Sequence, residues 1–327
     1  MPEARTALVT GATGFVGSHV VDELIEAGYR VECTVRPTSD LRWLEGKKVE
    51  LIEADLSDGE ALSRAVRDAE VVIHCAGRTR GSEAELMAAN RDGTRALLEA
   101  CVGTGRRMRF VYCSSQAAAG PGTIGRPREE DDPPDPNSDY GRSKLAGELE
   151  TRAFADRLEV AVLRPVAVYG PRDEDTLPYF RMAARGVVVV PGVRRRLVQL
   201  VHARDVAAAL RLTGERSEAV GRTYFAGHPE IVDWRRLSAT IAAAVGRRAV
   251  RLRVPSLVLR AIGTVADAVG ANKKPGQLDR RRARDMSERA WTCRVDRLME
   301  ELDWTPKYEA ESGLRQTANW YREVGWL

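Results

Sequence analysis

The stretch Thr10-Gly11-Ala12-Thr13-Gly14-Phe15-Val16-Gly17 decides the reading of this chain. It follows a short β-branched run, Ala7–Thr10, and leads into Val20, Val21, Leu24 and Ile25, whose spacing makes one apolar helical stripe. A glycine at the first position permits a tight strand-to-helix turn. The second lets backbone N–H groups approach a pyrophosphate, and the third lets helix and strand pack closely. The helix N-terminus adds the positive end of its dipole. The spacing is GxxGxxG rather than GxGxxG, and its position between strand and helix reads as a nucleotide site.

Outward from that turn, β-branched runs recur at Arg30–Val35, Val49–Ile52, Val71–His74, Phe110–Cys113 and Val160–Leu163. Helical stripes lie between most of them, one at Leu86, Ala89, Gly93, Leu97 and Leu98. Strands alternating with helices imply βαβ units and a parallel sheet covered on both faces, and strands apolar almost throughout agree. The alternation loosens after residue 120. Pro121–Asp139 is a proline-rich loop with an acidic cluster, Glu129–Asp132, and it ends at Tyr140; a loop that long is usually functional. From Pro171 the pattern breaks up, with one strand-plus-helix return at Leu197–Leu212. The expected division is a nucleotide-binding domain over residues 1–170, with a return segment near 197–228, and a mainly substrate-binding domain over 171–327. The basic cluster Arg280–Arg284 reads as a solvated helix face, and Val254–Gly270 as an amphipathic or core helix.

At 327 residues, 43% hydrophobic and 30% charged, the chain suits a soluble protein with a sizeable core. Disorder, collagen and coiled coil are excluded as descriptions of the whole. Fifty-one basic against 47 acidic side chains leave a net charge of +4, too slim a surplus to indicate a nucleic-acid partner. The cysteines (Cys33, Cys75, Cys101, Cys113, Cys293) form no close pairs, which fits reduced thiols and neither a disulfide framework nor a metal site. From the opening residues no signal peptide is expected. A cytoplasmic protein with no membrane partner is expected.

Tyr140 and Lys144 are four residues apart, which on a helix places them on one face. A phenol titrating at about pH 10 is a poor base near neutrality, and a nearby ammonium lowers its pKa by favouring the phenolate. The pair therefore suits acid–base work at an alcohol or ketone oxygen.

With these residues in hand, TGATGFVGSHV resembles the opening of the extended short-chain dehydrogenase/reductase family, also called the NAD-dependent epimerase/dehydratase family. The resemblance runs over essentially the whole chain. It takes in Asp55-Leu56, His74-Cys75-Ala76-Gly77, Asn90-Arg91-Asp92-Gly93-Thr94, and Arg164-Pro165 with Tyr169-Gly170-Pro171. It implies a Rossmann-type doubly wound parallel sheet with a smaller interleaved C-terminal substrate domain. The cofactor residues it implies are Gly11, Thr13, Gly14, Phe15, Val16, Gly17, Asp55, Leu56, Cys75, Ala76, Gly77, Asn90, Tyr140, Lys144 and Pro165. Counting back from Gly120, it matches Ser115, with Ser114 beside it, to the catalytic hydroxyl that joins Tyr140 and Lys144. His202 and Asp205 match its HxxDV element, Asp205 as a helix N-cap and His202 as structural. Trp291, Trp304, Trp320 and Trp326 are expected as packing anchors. A homodimer through the Tyr140 helix is a further implication.

Departures narrow the chemistry. Family dehydratases carry an acidic pair where this chain has Gln116 and Ala117, and Ala118-Ala119-Gly120 is closer to the hydroxysteroid-dehydrogenase and ketone-reductase branches. NAD-preferring enzymes of this fold usually carry an acid at the end of the second strand; here stand Val35 and Arg36, so Arg36 is expected to favour NADP over NAD. Sugar-nucleotide enzymes place a diphosphate-binding arginine where this chain has Val198, with Arg194–Arg196 falling short of it. Leu177–Phe180 and Val187–Pro191 are expected to enclose an apolar small-molecule substrate. The leading function is thus an NAD(P)-dependent oxidoreductase interconverting a secondary alcohol and a ketone. Its alternatives are a nucleotide-sugar epimerase with tightly bound NAD and a non-catalytic nucleotide sensor.

Overall fold

The strand before the glycine turn, β1 (Thr6–Thr10), is wholly buried at the heart of a seven-stranded sheet. The computed structural model describes residues 4–192, 194–268 and 279–327. From β1 the chain runs through α1 (Phe15–Glu26), β2 (Arg30–Val35), β3 (Val49–Glu53), α2 (Gly59–Ala65) and β4 (Val71–His74). It continues with α3 (Glu83–Met87), α4 (Gly93–Gly103), β5 (Arg109–Cys113), α5 (Gln116–Ala119), α6 (Asp139–Ala153) and β6 (Glu159–Pro165). With β10 (Thr223–Ala226) the strands lie in the order β10-β6-β5-β4-β1-β2-β3, every neighbouring pair parallel. The order reverses between β1 and β4, and a crevice opens beyond the carboxyl ends of those strands, where such sheets bind ligands. The edge strand β3 is the least buried and carries Glu50 and Glu53, charges that discourage edge pairing.

Each face of the sheet has its own core. Val20, Val21 and Leu24 of α1 pack with Val206 and Leu210 on one face; Leu62, Leu97 and Leu98 pack on Phe110 and Tyr112 on the other. The expected single helix over Leu86–Leu98 is interrupted by a π-helical turn, Ala88–Asp92. Asn90, within it, spends its side chain on three bonds. It accepts from the Arg78 N–H at 2.9 Å and donates to the Arg78 carbonyl at 2.9 Å and to Ser143 Oγ at 2.8 Å. A wide turn suits a residue whose side chain serves a neighbouring loop.

Beyond β6 come β7 (Ala167–Tyr169), α7 (Leu177–Ala184), β8 (Val187–Pro191), β9 (Leu197–His202) and α8 (Ala203–Glu215). After β10 follow β11 (Ile231–Asp233), α9 (Trp234–Ala244), β12 (Val250–Val254), α10 (Ser256–Ala268), α11 (Arg280–Asp285), β13 (Ala290–Trp291), α12 (Asp296–Leu302) and α13 (Ala310–Glu323). The strand and helix at 197–215 part company: β9 joins β7, β11 and β13 in a small mixed sheet, while α8 lies beside α1 on the large one. A third core, with Phe180, Val198, Leu200, Leu237, Ile241 and Leu314, holds this region together. His19 on α1 fastens it to the large sheet. Burial pulls its imidazole down to about 3, so it stays neutral, and Nε2 donates to the Pro171 carbonyl at 2.9 Å.

Candidate active site

Gly11, at φ +69°, turns the chain off β1. Contact is close on both sides: a Cβ on Gly11 would sit 2.6 Å from the Ala76 nitrogen, and one on Gly17 would sit 2.1 Å from the Gly11 carbonyl oxygen. Helix α1 has Gly14 as its N-cap and no side-chain cap, so the N–H groups of its first turn are left for a ligand. Gly11, Gly14, Phe15, Val16 and Gly17 line a cavity of about 630 Å³, together with Cys75, Gly77, Asn90 and Pro165. An uncapped helix end facing a cavity fits a dinucleotide's phosphates. Thr13, Arg36, Asp55, Leu56 and Ala76 lie off the cavity wall. Arg36 and Asp55 are exposed beyond the ends of β2 and β3, and Asp55 accepts from the Ser57 N–H and hydroxyl. Leu56 packs where a Cβ on Gly93 would meet it at 2.9 Å.

Helix α6 begins at Asp139, with Ser138 Oγ accepting from the Gly141 N–H. A Cβ on Gly141 would stand 2.4 Å from the Ala117 carbonyl oxygen. That close approach sets the first turn of α6 against α5 and brings Tyr140, Lys144 and Ser115 to the same cavity. Lys144 is buried, and its Nζ donates to the Cys113 carbonyl at 2.7 Å. Burial raises the Tyr140 phenol above its ordinary value, against the opposing pull of Lys144 and Arg281. The two serines are used differently. Ser114 donates to Glu148 Oε1 at 2.6 Å, and Glu148 is held by Arg164 through two bonds of 2.8 and 2.7 Å, all of it buried. Ser115 Oγ accepts from the Ala117 N–H at 3.1 Å, which caps α5 and leaves its own proton to give.

The wall facing this set is apolar: Phe180, Val198, Leu200, Leu237, Ile241 and Leu314, with the rings of Tyr179, Trp234 and Trp291. Tyr179 and Phe180 lie where expected, but β8 (Val187–Pro191) pairs with β12 and forms no part of the wall; β9 takes its place. None of Arg194–Arg196 reaches the cavity. Arg196 is buried and donates to the carbonyls of Pro191 at 3.0 Å and Glu288 at 2.7 Å, and Arg195 pairs with Asp233 at 3.4 Å. Val193, between them and Gly192, lies outside the described residues, as does Gly270.

Three arginines line the cavity: Arg78, paired with Glu85 at 3.3 Å, and two that were read in the sequence as solvated. Arg281 stands 5.1 Å over the Tyr140 ring and 3.6 Å from Asp285; Arg282 pairs with Asp175 at 2.5 Å. Short α11 turns this side of the cluster inward because Ala283 is buried behind it. Asp285 Oδ1 is buried without a hydrogen-bond partner among the described residues, and burial raises its carboxyl to about 6. Asp173, also on the wall, is pushed by burial to about 7.

Elsewhere, His202 rather than Asp205 caps α8, since β9 runs straight into that helix, and its Nδ1 accepts from the Arg204 N–H at 3.3 Å. Asp205 accepts instead from the N–H groups of Lys307 and Tyr308 at 2.9 and 3.2 Å. Trp304 is buried in the core of the large sheet, and Trp320 and Trp326 pack with Trp43. All five cysteines are free.

A model of the NAD dependent epimerase/dehydratase family matches residues 7–227. The chain belongs to that family. It is therefore an NAD(P)-dependent enzyme of the extended short-chain dehydrogenase/reductase type. Among curated relatives it is similar to the ceramide reductase of Caulobacter vibrioides, at 32% identity over 98% of this chain and 95% of that protein. It is also similar to sterol demethylase protein B of Methylococcus capsulatus, at 30% identity over 80% and 81%. Among solved structures, MoeE5 in complex with UDP-glucose and NAD superposes with a TM-score of 0.78 at 28% identity, covering 98% of this chain and 99% of that one. Members of this family thus include both ketone or sterol enzymes and sugar-nucleotide enzymes.

Proposed function

We propose that this enzyme is an NADP-preferring oxidoreductase that interconverts a secondary alcohol and a ketone on an apolar, lipid-like small molecule. The observation that carries the proposal is the apolar wall opposite Tyr140, which includes Val198, with Arg196 diverted to backbone carbonyls. The names of the ceramide and sterol relatives support it.

The nicotinamide group, when bound, supplies or accepts the hydride. Gly11, Gly14 and the first turn of α1 would hold its phosphates, and Lys144 its ribose side. In the reductive direction Tyr140 gives its proton to the ketone oxygen. Burial favours the protonated phenol at neutral pH, as a general acid requires. Ser115 donates to the same oxygen and stabilises its developing charge. Ser114 has its proton committed to Glu148 and takes no part. A homodimer through α6, as the family resemblance implies, would cover Leu149, 57% exposed on that helix.

One observation favours the epimerase: Arg78, Arg281 and Arg282 are cations on the cavity wall. Each has an acidic partner, Glu85, Asp285 and Asp175 in turn, which weakens the case for a diphosphate there. A panel of apolar ketones followed by NADPH absorbance tests the proposal, with cofactor consumed one for one with product. Tight binding of UDP in calorimetry, with turnover of a UDP-sugar and no net cofactor consumption, would replace it with the epimerase.

A further inference from the structure

Helix α10 turns its broader apolar face away from the protein. Leu259 and Gly263 are buried toward α11, where a Cβ on Gly263 would stand 2.8 Å from Ala283 Cβ. The opposite side carries Leu257, Ala261 and Val265 in one i, i+4 row and Val258 and Ile262 in the next. Leu257 is 80% exposed and Val265 60%. Just before the helix, β12 leaves Val250 and Leu252 exposed as well. An amphipathic helix that served only to pack would direct such an arc inward. The same segment exposes Arg247, Arg248, Arg251, Arg253 and Arg260, and among the described residues none of them stands in an ion pair. The one acid between residues 247 and 268 is Asp267, at the far end, where it accepts from the Arg280 N–H.

Apolar side chains among unpaired arginines narrow the occupant. A second copy docked face to face would oppose like charges across the contact. A bilayer carrying anionic headgroups would take the apolar arc into its interface and neutralise the arginines together. No described helix is long and apolar enough to cross a membrane, so the contact is peripheral. We propose that α10 and β12 form a docking surface for an anionic lipid bilayer. The sequence-based expectation of no membrane partner then fails for surface contact. The placement is apt, because α11, on which α10 packs, walls the substrate cavity.

Vesicle co-sedimentation of the full chain tests this without reference to any substrate, using phosphatidylcholine alone or mixed with phosphatidylglycerol. The protein is expected to pellet with the mixed vesicles and to be released by salt. Arg251→Gln and Arg253→Gln should each weaken binding roughly fivefold. The double variant Leu257→Glu/Val265→Glu should weaken it at least about tenfold with unchanged thermal unfolding. Equal binding to both vesicle types, or none, would overturn the proposal. So would a size-exclusion shift in the double variant from a larger to a smaller oligomer with no vesicle binding by the parent, which would give the face to a second copy. If the double variant misfolds, the salt release and the arginine variants still decide.

Discussion

The proposed cofactor side and the proposed substrate side of one cavity are built by different rules. The cofactor side rests on main chain: Gly11 and Gly17 are packed so closely that a Cβ would meet backbone at 2.6 and 2.1 Å. Only glycine at fixed spacing satisfies that, so the requirement is written as a motif. The substrate side is a wall of side chains from α7, β9, α9, α11 and α13, separated by long stretches of chain. Its requirement is apolar volume, which many residues meet in many orders. A site made of backbone leaves a short local signature, and a site made of side-chain surface leaves almost none.

Tyr140→Phe breaks the comparison most sharply, because it tests whether the chemistry lies where the motif is. Turnover is expected to fall by ~10²–10⁴, with cofactor affinity measured by fluorescence titration unchanged. Normal turnover would move the acid–base role to the unsigned side, where Asp173 and Asp285 are the titratable candidates. Glu148→Ala is next. It leaves the Arg164 guanidinium, 1% exposed, without its partner, and losing one member of a buried pair costs about 3–5 kcal/mol. Denaturant unfolding should show that loss; a change under about 1 kcal/mol, the size typical of a solvated ion pair, would mean the pair is better solvated than its burial implies.

Glu148 also shows where reading the sequence stops. The strand-and-helix alternation of the large sheet was legible because burial on both faces demands apolar runs at β1, β2, β4, β5 and β6. Tyr140 and Lys144 were legible because one helix carries both. The Asn90 π-turn was hidden, since its cause is a set of hydrogen bonds to Arg78 and Ser143 that no periodicity encodes. Arg281 and Arg282 were read as solvated because charge runs usually are. Only the fold, which packs α11 across the cavity from α6, turns them inward.

Asp173 sharpens the comparison by asking whether the substrate side carries a cost of its own. Burial raises its carboxyl from 3.8 to about 7, even though it accepts from the Asp175 N–H and from the Thr176 N–H and hydroxyl. A folded-state pKa above the unfolded one means the native state binds the extra proton. Stability contributed by that proton is complete below about pH 4 and is lost as the pH rises toward 7. Asp173→Asn removes the titration and keeps one acceptor. The melting temperature of the variant relative to the wild type should therefore climb between pH 4 and 7, by the equivalent of about 1–3 kcal/mol. A flat difference would show that water reaches the carboxylate.

The smallest expected effect lies on the cofactor side, at a residue that no glycine motif specifies. Arg36 is exposed just past β2, and its N–H donates to Ser39 Oγ at 2.9 Å. Glu32 lies inside the strand, and Asp40, the next acid along, is paired with Arg42 at 3.1 Å. No acid therefore stands at the end of β2 to bind ribose hydroxyls, while the Arg36 guanidinium, within electrostatic reach of Asp55 but in no ion pair among the described residues, can take a 2′-phosphate through a charge-assisted fork. A solvent-exposed pair is weakened by screening, so the preference should be about tenfold rather than thousandfold. Titration of NADP and NAD into the wild type should show that difference, and Arg36→Ala should erase it by weakening NADP while leaving NAD unchanged. Equal affinities in the wild type would give Arg36 to solvent and extend the lesson of the substrate wall to the cofactor side: where side chains rather than backbone select the ligand, a single residue read from the chain is not enough.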